Sequence, residues 1–283
     1  MRDDLVAIDI HTHPQVPEMQ RAVGARIKQM EQYFGRSREA VSFAEMAEMY
    51  QEHHMMAVIL NSDDETVSGI PPAPNDLLTD AANRYPDTFI PFCAIDPWKG
   101  QSAVEELRRC ADLGARGVGE LNGGRQLFCP SDRRFYPLWE TAVELGLVLL
   151  FHTGMMGAGA RTPGGMGYKL KFTNPLQLDE VAADFPELKI ISAHPGWPFQ
   201  QEQLAMVRHK TNVYMDISGW APKYLAPEVI HYVNTMISDQ VLFGTDWPAL
   251  TVDRFFTEFD RIELRPGIRH KVLRDNARAL LGI

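Results

Sequence analysis

The sequence is poor in cysteine, and its absences set the first limits. Cys93, Cys110 and Cys129 are odd in number and far apart, with no C-x-x-C pair, which excludes a zinc knuckle or a dithiol redox site. They read as reduced thiols of a cytosolic protein. No run of about 18 apolar residues is present to span a bilayer, and Met1 to Val6 show no apolar core of a secretory leader. A soluble, cytoplasmic protein is therefore expected, with no membrane partner. Positive charge is also scarce: 28 Lys and Arg face 37 Asp and Glu, for a net charge of −9, which argues against DNA or RNA as a partner. Low-complexity tracts and an obvious interdomain linker are missing too. No glycine fingerprint for a nucleotide follows the first apolar run, where Asp9-Ile10-His11-Thr12-His13-Pro14 stands instead.

What is present is a repeating pattern. Eight short apolar runs rich in β-branched residues read as strands: Val6–Asp9, Ala57–Asn61, Phe89–Ile95, Gly117–Leu121, Leu147–Phe151, Lys189–Ala193, Val213–Ile217 and Val241–Gly244. Amphipathic stretches follow them at Ser42–His53, Asn75–Tyr85, Ser102–Leu113, Arg134–Leu145, Pro175–Phe185, Gln200–Arg208, Pro227–Ile237 and Val252–Arg261, with a terminal helix over Gly267–Leu281. Gly114 and Gly146 stop two of these helices, and Pro86 and Pro186 lie just past two others. About 150 residues per domain would allow two domains in 283, but an α/β barrel takes about 250 as one. The expectation is a (β/α)8 TIM barrel forming a single domain, residues 1–283, with an open doubly wound sheet as the alternative. Two segments exceed ordinary loops: residues 14–41, with a helix over Arg21–Phe34, and the Gly- and Met-rich residues 155–173. Both are expected over the catalytic end as lid-like insertions after strands 1 and 5.

Catalytic groups of such barrels sit where strands end. Alternation along an extended strand would aim Asp9, His11 and His13 together into the barrel mouth, and two imidazoles at that spacing can share one metal. An H-x-H pair alone is weak evidence. Its company is stronger: His152 closes the fifth run, His194 the sixth and Asp246 the eighth. Eight strand ends of about three residues each cover about a twelfth of the chain, so fewer than one of nine His should fall there by chance, and four do. The plain alternative is buried His bonded to backbone. As a metal site, His11, His13, His152 and Asp246 would supply three imidazoles and one carboxylate, a donor set that suits Zn2+ and leaves a position for water or substrate. His194 would be the neighbouring acid–base group.

The order His11-x-His13, His152, His194, Asp246 resembles the amidohydrolase superfamily, and more narrowly its amidohydrolase-2 branch, which contains aminocarboxymuconate-semialdehyde decarboxylase, resorcylate-type decarboxylases, lactonases and a hydratase. The resemblance runs from Asp9 to Asn276-Ala277-Arg278-Ala279-Leu280-Leu281-Gly282. It implies a barrel with one divalent metal, zinc above all with manganese as a variant, held by His11, His13, His152 and Asp246, with His194 acting on substrate. Binuclear relatives carry a carboxylated Lys after strand four. Arg116-Gly117-Val118-Gly119-Glu120-Leu121-Asn122 has none, so a mononuclear centre is expected, with Glu120 either substrate-facing or ligand to a second ion.

Other residues divide between function and plain packing. Asp9 is placed behind His11 as an acceptor. His53, His54, His209, His231 and His270 read as structural or solvated. Arg161 is the preferred clamp for a substrate carboxylate, ahead of Lys169, Lys171 and Arg125, all of which serve equally well as solvated loop cations. Trp197, with Trp220 and Trp247, follows a strand end and suits an apolar pocket wall as well as packing between loops. The Met-rich stretches at Met46 to Met56 and Met155-Met156 read as packing.

The expected activity is metal-dependent hydrolysis of a small carboxylated lactone, ester or amide by a metal-activated water, with Asp246 as base and His194 as acid or oxyanion partner. The alternative is non-oxidative decarboxylation of an aromatic or muconate-type acid, or hydration of a related double bond. A barrel that keeps its ligands only for stability is the non-enzymatic alternative. A homodimer is possible for such a chain, although no segment marks an interface.

Overall fold

In the computed structural model, residues 4–24, 26–35, 37 and 39–283 are described. Eight strands form one parallel sheet in chain order: β1 (Ala7–Thr12), β2 (Met55–Ile59), β3 (Phe89–Cys93), β4 (Gly117–Leu121), β5 (Val148–His152), β6 (Ile190–Ala193), β7 (Val213–Asp216) and β8 (Val241–Leu242). Ile10 N donates to Phe243 O at 3.0 Å and Asp246 N to His11 O at 2.9 Å, so β8 returns to β1 and the sheet closes into the expected (β/α)8 TIM barrel.

The strands are apolar throughout because both their faces are covered. Ile8, Ile10, Val58, Leu60, Ile90, Phe92, Val148, Leu150, Ile191 and Leu242 pack on one another inside the ring. Leu280 and Leu281 join them and plug the end opposite the site, where Arg116 and Lys189 donate to their carbonyls. The other strand face packs against the outer helices. Along the chain these elements are α1 (Pro17–Val23), α2 (Arg26–Phe34), α3 (Phe43–Glu52), α4 (Glu65–Ser68), α5 (Asp76–Arg84), α6 (Gln101–Asp112), α7 (Gly123–Gln126), α8 (Tyr136–Leu145), α9 (Gln177–Asp184), α10 (Gln200–His209), α11 (Pro227–Thr235) and α12 (Val252–Phe259). Local chemistry sets several of their ends. Ser42 and Glu45 form a reciprocal capping box on α3, and Gly146 stops α8 in the left-handed conformation. The terminal segment is interrupted: Ile268–His270 and Asn276–Leu281 flank a wide π-helical turn over Lys271–Asp275.

Helices α1 and α2 and the loop after β5 contribute residues to the same cavity as the strand-end histidines. Residue 25 of the expected helix over Arg21–Phe34 lies outside the described residues. The insertions are stitched together: Gln29 Nε2 donates to Gly157 O at 3.3 Å and Ala160 O at 3.1 Å, and its Oε1 accepts from Gly159 N at 2.9 Å. A Cβ on Gly157 would meet the Phe34 ring at 2.8 Å, so only glycine permits that approach.

Candidate metal centre and cavity

The register of β1 shifts between Asp9 and Thr12, and this bulge breaks the alternation expected of Asp9, His11 and His13. Asp9 does not face the mouth with the histidines, as simple alternation predicts. Its carboxylate instead accepts from His11 N, Thr245 N and Oγ1 and, at 2.8 Å, the Tyr50 hydroxyl of α3. Burial raises this carboxyl to about 6 despite those four donors. Asp9 thus secures the seam between β1 and β8 and leaves the His11 ring to another partner.

That partner is Asp216, the last residue of β7, which lay unremarked inside the seventh apolar run. A carboxylate can only accept, so His11 Nδ1–H donates to Asp216 Oδ2 at 3.1 Å. The other Asp216 oxygen takes His194 N and Ser218 N, both at 2.9 Å. The signal that located His152, His194 and Asp246, a polar group closing an apolar strand, applies equally to Asp216. Burial alone would push the His11 imidazole down, but Asp216, with Asp246 and Glu120 behind it, raises it to about 9. Asp216, raised by burial yet lowered more by His11, lies at about 2.

With Nδ1–H committed to Asp216, His11 turns its Nε2 to the site, where a bound cation would replace the Nε2 proton. That nitrogen lies 3.1 Å from His13 Nε2 and 3.7 Å from Asp246 Oδ1, which is itself 3.3 Å from His13 Nε2. Two imidazole nitrogens and a carboxylate oxygen pointing at one another invite a cation among them, and His11, His13 and Asp246 qualify by distance as a metal-ligand set. Their backbones are neighbours across the seam, joined by the Asp246 N to His11 O bond.

His152 sits beside this trio, in a second cluster with Glu120 and His194. Its Nδ1–H donates to Glu120 Oε1 at 2.7 Å, and its buried Nε2 has no hydrogen-bond partner. A buried imidazole nitrogen left unbonded in the same cavity suits a metal donor, and with two further imidazoles and a carboxylate the residues fit the expected divalent metal. Burial pushes His152 down and keeps it neutral. Glu120, which burial would raise, is held well below the usual carboxylate range by His152 and His194. Its Oε1 lies 4.0 Å from His11 Nε2, linking the two clusters. His194 Nδ1 meets the Ser218 hydroxyl at 2.8 Å and carbonyl at 3.2 Å. Burial opposes its protonation, but Glu120, with Asp246 and Asp216, raises it. His194 and Asp246 both adopt positive φ, 66° and 56°, a strain typical of functional turns. Gly219 closes behind them: a Cβ there would lie 2.9 Å from His194 Nδ1 and 3.1 Å from Asp246 Oδ2.

His13, Glu120, His152, His194 and Asp246 form the floor of a cavity of about 990 Å³ including its open mouth. Met19, Val23, Ile27, Met30, Phe34 and Met156 give it an apolar wall, and Arg26 and Arg125 add charge. Arg161 does not line it. The β5–α9 loop turns back on itself through the Thr162 N to Gly159 O bond, which leaves Arg161 exposed at positive φ. Trp197, 46% exposed with its ring 6.4 Å from Trp220, also stands outside the lining, and Trp247 is buried in the core. The wall therefore comes from the insertions and not from tryptophans at strand ends.

A parallel eight-stranded barrel that gathers imidazoles and carboxylates at its strand ends defines a class, the TIM-barrel enzymes with a divalent-metal centre. The family profile described as amidohydrolase matches residues 8–283, and the chain belongs to that family. The chain is 24% identical over 282 residues to the gamma-resorcylate decarboxylase of Rhodococcus jostii, covering 82% of this chain and 85% of that protein. Among solved structures it is similar to an uncharacterized TIM-barrel protein of Bordetella bronchiseptica, with 25% identity, 98% of both chains covered and a TM-score of 0.78. It also shares its fold with the 5-carboxyvanillate decarboxylase of Novosphingobium aromaticivorans, solved with manganese and a nitrobenzoic acid, at 17% identity, TM-score 0.71, and coverage of 99% and 96%.

Proposed function

We propose that the chain is a metal-dependent carboxy-lyase that removes CO2 from a small aromatic or conjugated acid. The reading rests on one observation: the His–Asp–Glu clusters lie at the foot of a cavity that has an apolar wall of Met19, Val23, Ile27, Met30, Phe34 and Met156. The decarboxylase from Rhodococcus jostii supports it over the hydrolytic reading that motifs alone favour, since hydrolysis and decarboxylation use the same side chains. His11, His13, His152 and Asp246 would hold the metal. When bound, it supplies a Lewis acid that polarises a substrate oxygen and takes up developing charge. Histidine and carboxylate donors suit zinc and manganese alike, and manganese in the carboxyvanillate enzyme supports the second.

The chain's own residues do the rest. The apolar wall packs on the substrate ring and keeps water from it. As the bond to the carboxyl carbon breaks, its electron pair stays on the ring carbon, which must gain a proton. His194, whose Nδ1 meets Ser218 and whose proton affinity Glu120 raises against burial, delivers that proton from Nε2 and recovers one from solvent through the open mouth. Asp246 would serve the metal and, with Asp216, favours the charged form of His194.

The test is decarboxylation of 2,6-dihydroxybenzoate and related hydroxybenzoates by metal-loaded protein in D2O. Release of CO2 with one deuterium at the vacated carbon is expected, whereas water uptake by an ester or lactone with the carboxylate retained would overturn the reading. His194→Asn should lower kcat by about 10²-fold. Metal content by elemental analysis should stay at the wild-type level, which separates a proton donor from a ligand.

A further inference from the structure

We infer that Arg125 is a specificity-determining residue that binds a second acidic group of the substrate, so that the cavity takes small diacids in preference to monoacids. The inference deepens the carboxy-lyase reading and names the substrate class of the same site.

Arg125 belongs to α7, a single turn whose start is fixed by Asn122 Oδ1 accepting from Arg125 N at 3.0 Å. The turn is locked in place. Gln126 Nε2 donates to Asp63 O at 2.7 Å and Ile95 O at 3.0 Å, and Gln126 O accepts from Trp98 Nε1 at 2.7 Å, tying together the loops after β2, β3 and β4. Gly123 and Gly124 tuck it under the β5–α9 loop, where Cβ atoms would meet Phe172 O at 2.6 Å and Met156 at 2.8 Å. The guanidinium is thus delivered to the cavity wall by rigid backbone.

It arrives there without a hydrogen-bond partner. Arg125 lines the cavity with its side chain only 12% exposed, and its Nε and Nη2 are buried and unbonded. Buried guanidinium N–H groups left unpaired are costly and rarely tolerated without purpose. Among the described residues, the carboxylate that pairs with it is Asp64, whose Oδ2 is 3.5 Å from Nε, beyond a good hydrogen bond. Asp64 is already claimed: Arg26 Nη1 bonds Oδ2 and Nη2 bonds Oδ1 in a buried fork. Two guanidiniums around one carboxylate leave one positive charge over, on the residue with free N–H groups. A planar fork with that charge, beside an apolar wall, recognises a carboxylate on a ring whose first acidic group lies over the His–Asp floor. Asp64 serves as a positioning residue, holding Arg125 from one side while Arg26 anchors it to α2.

The test uses manganese-loaded protein and calorimetric titration with benzoate and with phthalate, isophthalate and terephthalate, which place a second carboxylate at three separations. At least one diacid should bind wild type about ten- to a hundred-fold tighter than benzoate, as expected of a charge-assisted fork. In Arg125→Gln that preference should collapse to near unity, and Arg125→Lys, which keeps the charge but loses the fork, should restore part of it. Equal binding of all four acids by wild type, no binding of any, or a preference that survives in Arg125→Gln would each overturn the inference. Failure of the two readings is distinguishable. A diacid preference lost in Arg125→Gln, without CO2 release from any aromatic acid, would discard the carboxy-lyase and leave the anion pocket standing.

Discussion

Asp246→Ala should reduce bound metal from about one ion per chain to a trace and cut turnover at least about 10³-fold, because it removes the trio's only carboxylate and with it several kcal/mol of charge stabilisation in the transition state. Elemental analysis after desalting and a CO2 assay read the two effects. The variant should still fold, since Asp246 is partly exposed and the seam bond uses its backbone N, which alanine retains. Circular dichroism should therefore match wild type. Full metal occupancy with full activity in this variant would remove the site from consideration.

Asp216→Ala should be damaging in a different currency. One buried carboxylate here accepts from the His11 ring, His194 N and Ser218 N, so its loss strands two backbone donors and an imidazole in a dry interior. Breaking a buried pair of this kind costs about 3–5 kcal/mol, and urea unfolding should show it as a lower midpoint with an unchanged slope. Metal affinity should fall about 10- to 100-fold, because nothing then fixes the His11 ring or its tautomer. A variant as stable as wild type, with undiminished metal affinity, would show that His11 is oriented by something else.

How much of this was legible beforehand follows from what each signal depends on. The eight strands and their order could be read because strands buried on both faces must be apolar along their whole length. Caps and helix stops such as Ser42 and Gly146 act within a few residues. Four strand-end groups stood out because polar side chains are rare there. Asp9 escaped because a bulge is a long-range event, set by β2 and β8 and invisible to counting by twos. Asp216 escaped because it looked like the tail of a strand and not like a group at its mouth. The sequence puts Arg161 ahead of Arg125 on the strength of its loop, whereas the cavity is lined by Arg125, since the path of a long loop is decided by what it touches. Gln126, buried and tying its own loop to the two neighbouring ones, aims one arginine inward, while a turn at Gly159 throws the other outward.

The seam between β1 and β8 joins His11 and Asp246 through a single backbone bond. These two residues come from the first and the eighth strand of the barrel, so closing the ring and assembling the ligand trio are one event. A growing polypeptide makes His11 and His13 well before Asp246 and has no complete trio until the eighth strand is made and finds the first. Metal capture then reports the finished barrel, and a circular permutant opened between two other strands should keep it as long as β1 and β8 still pair.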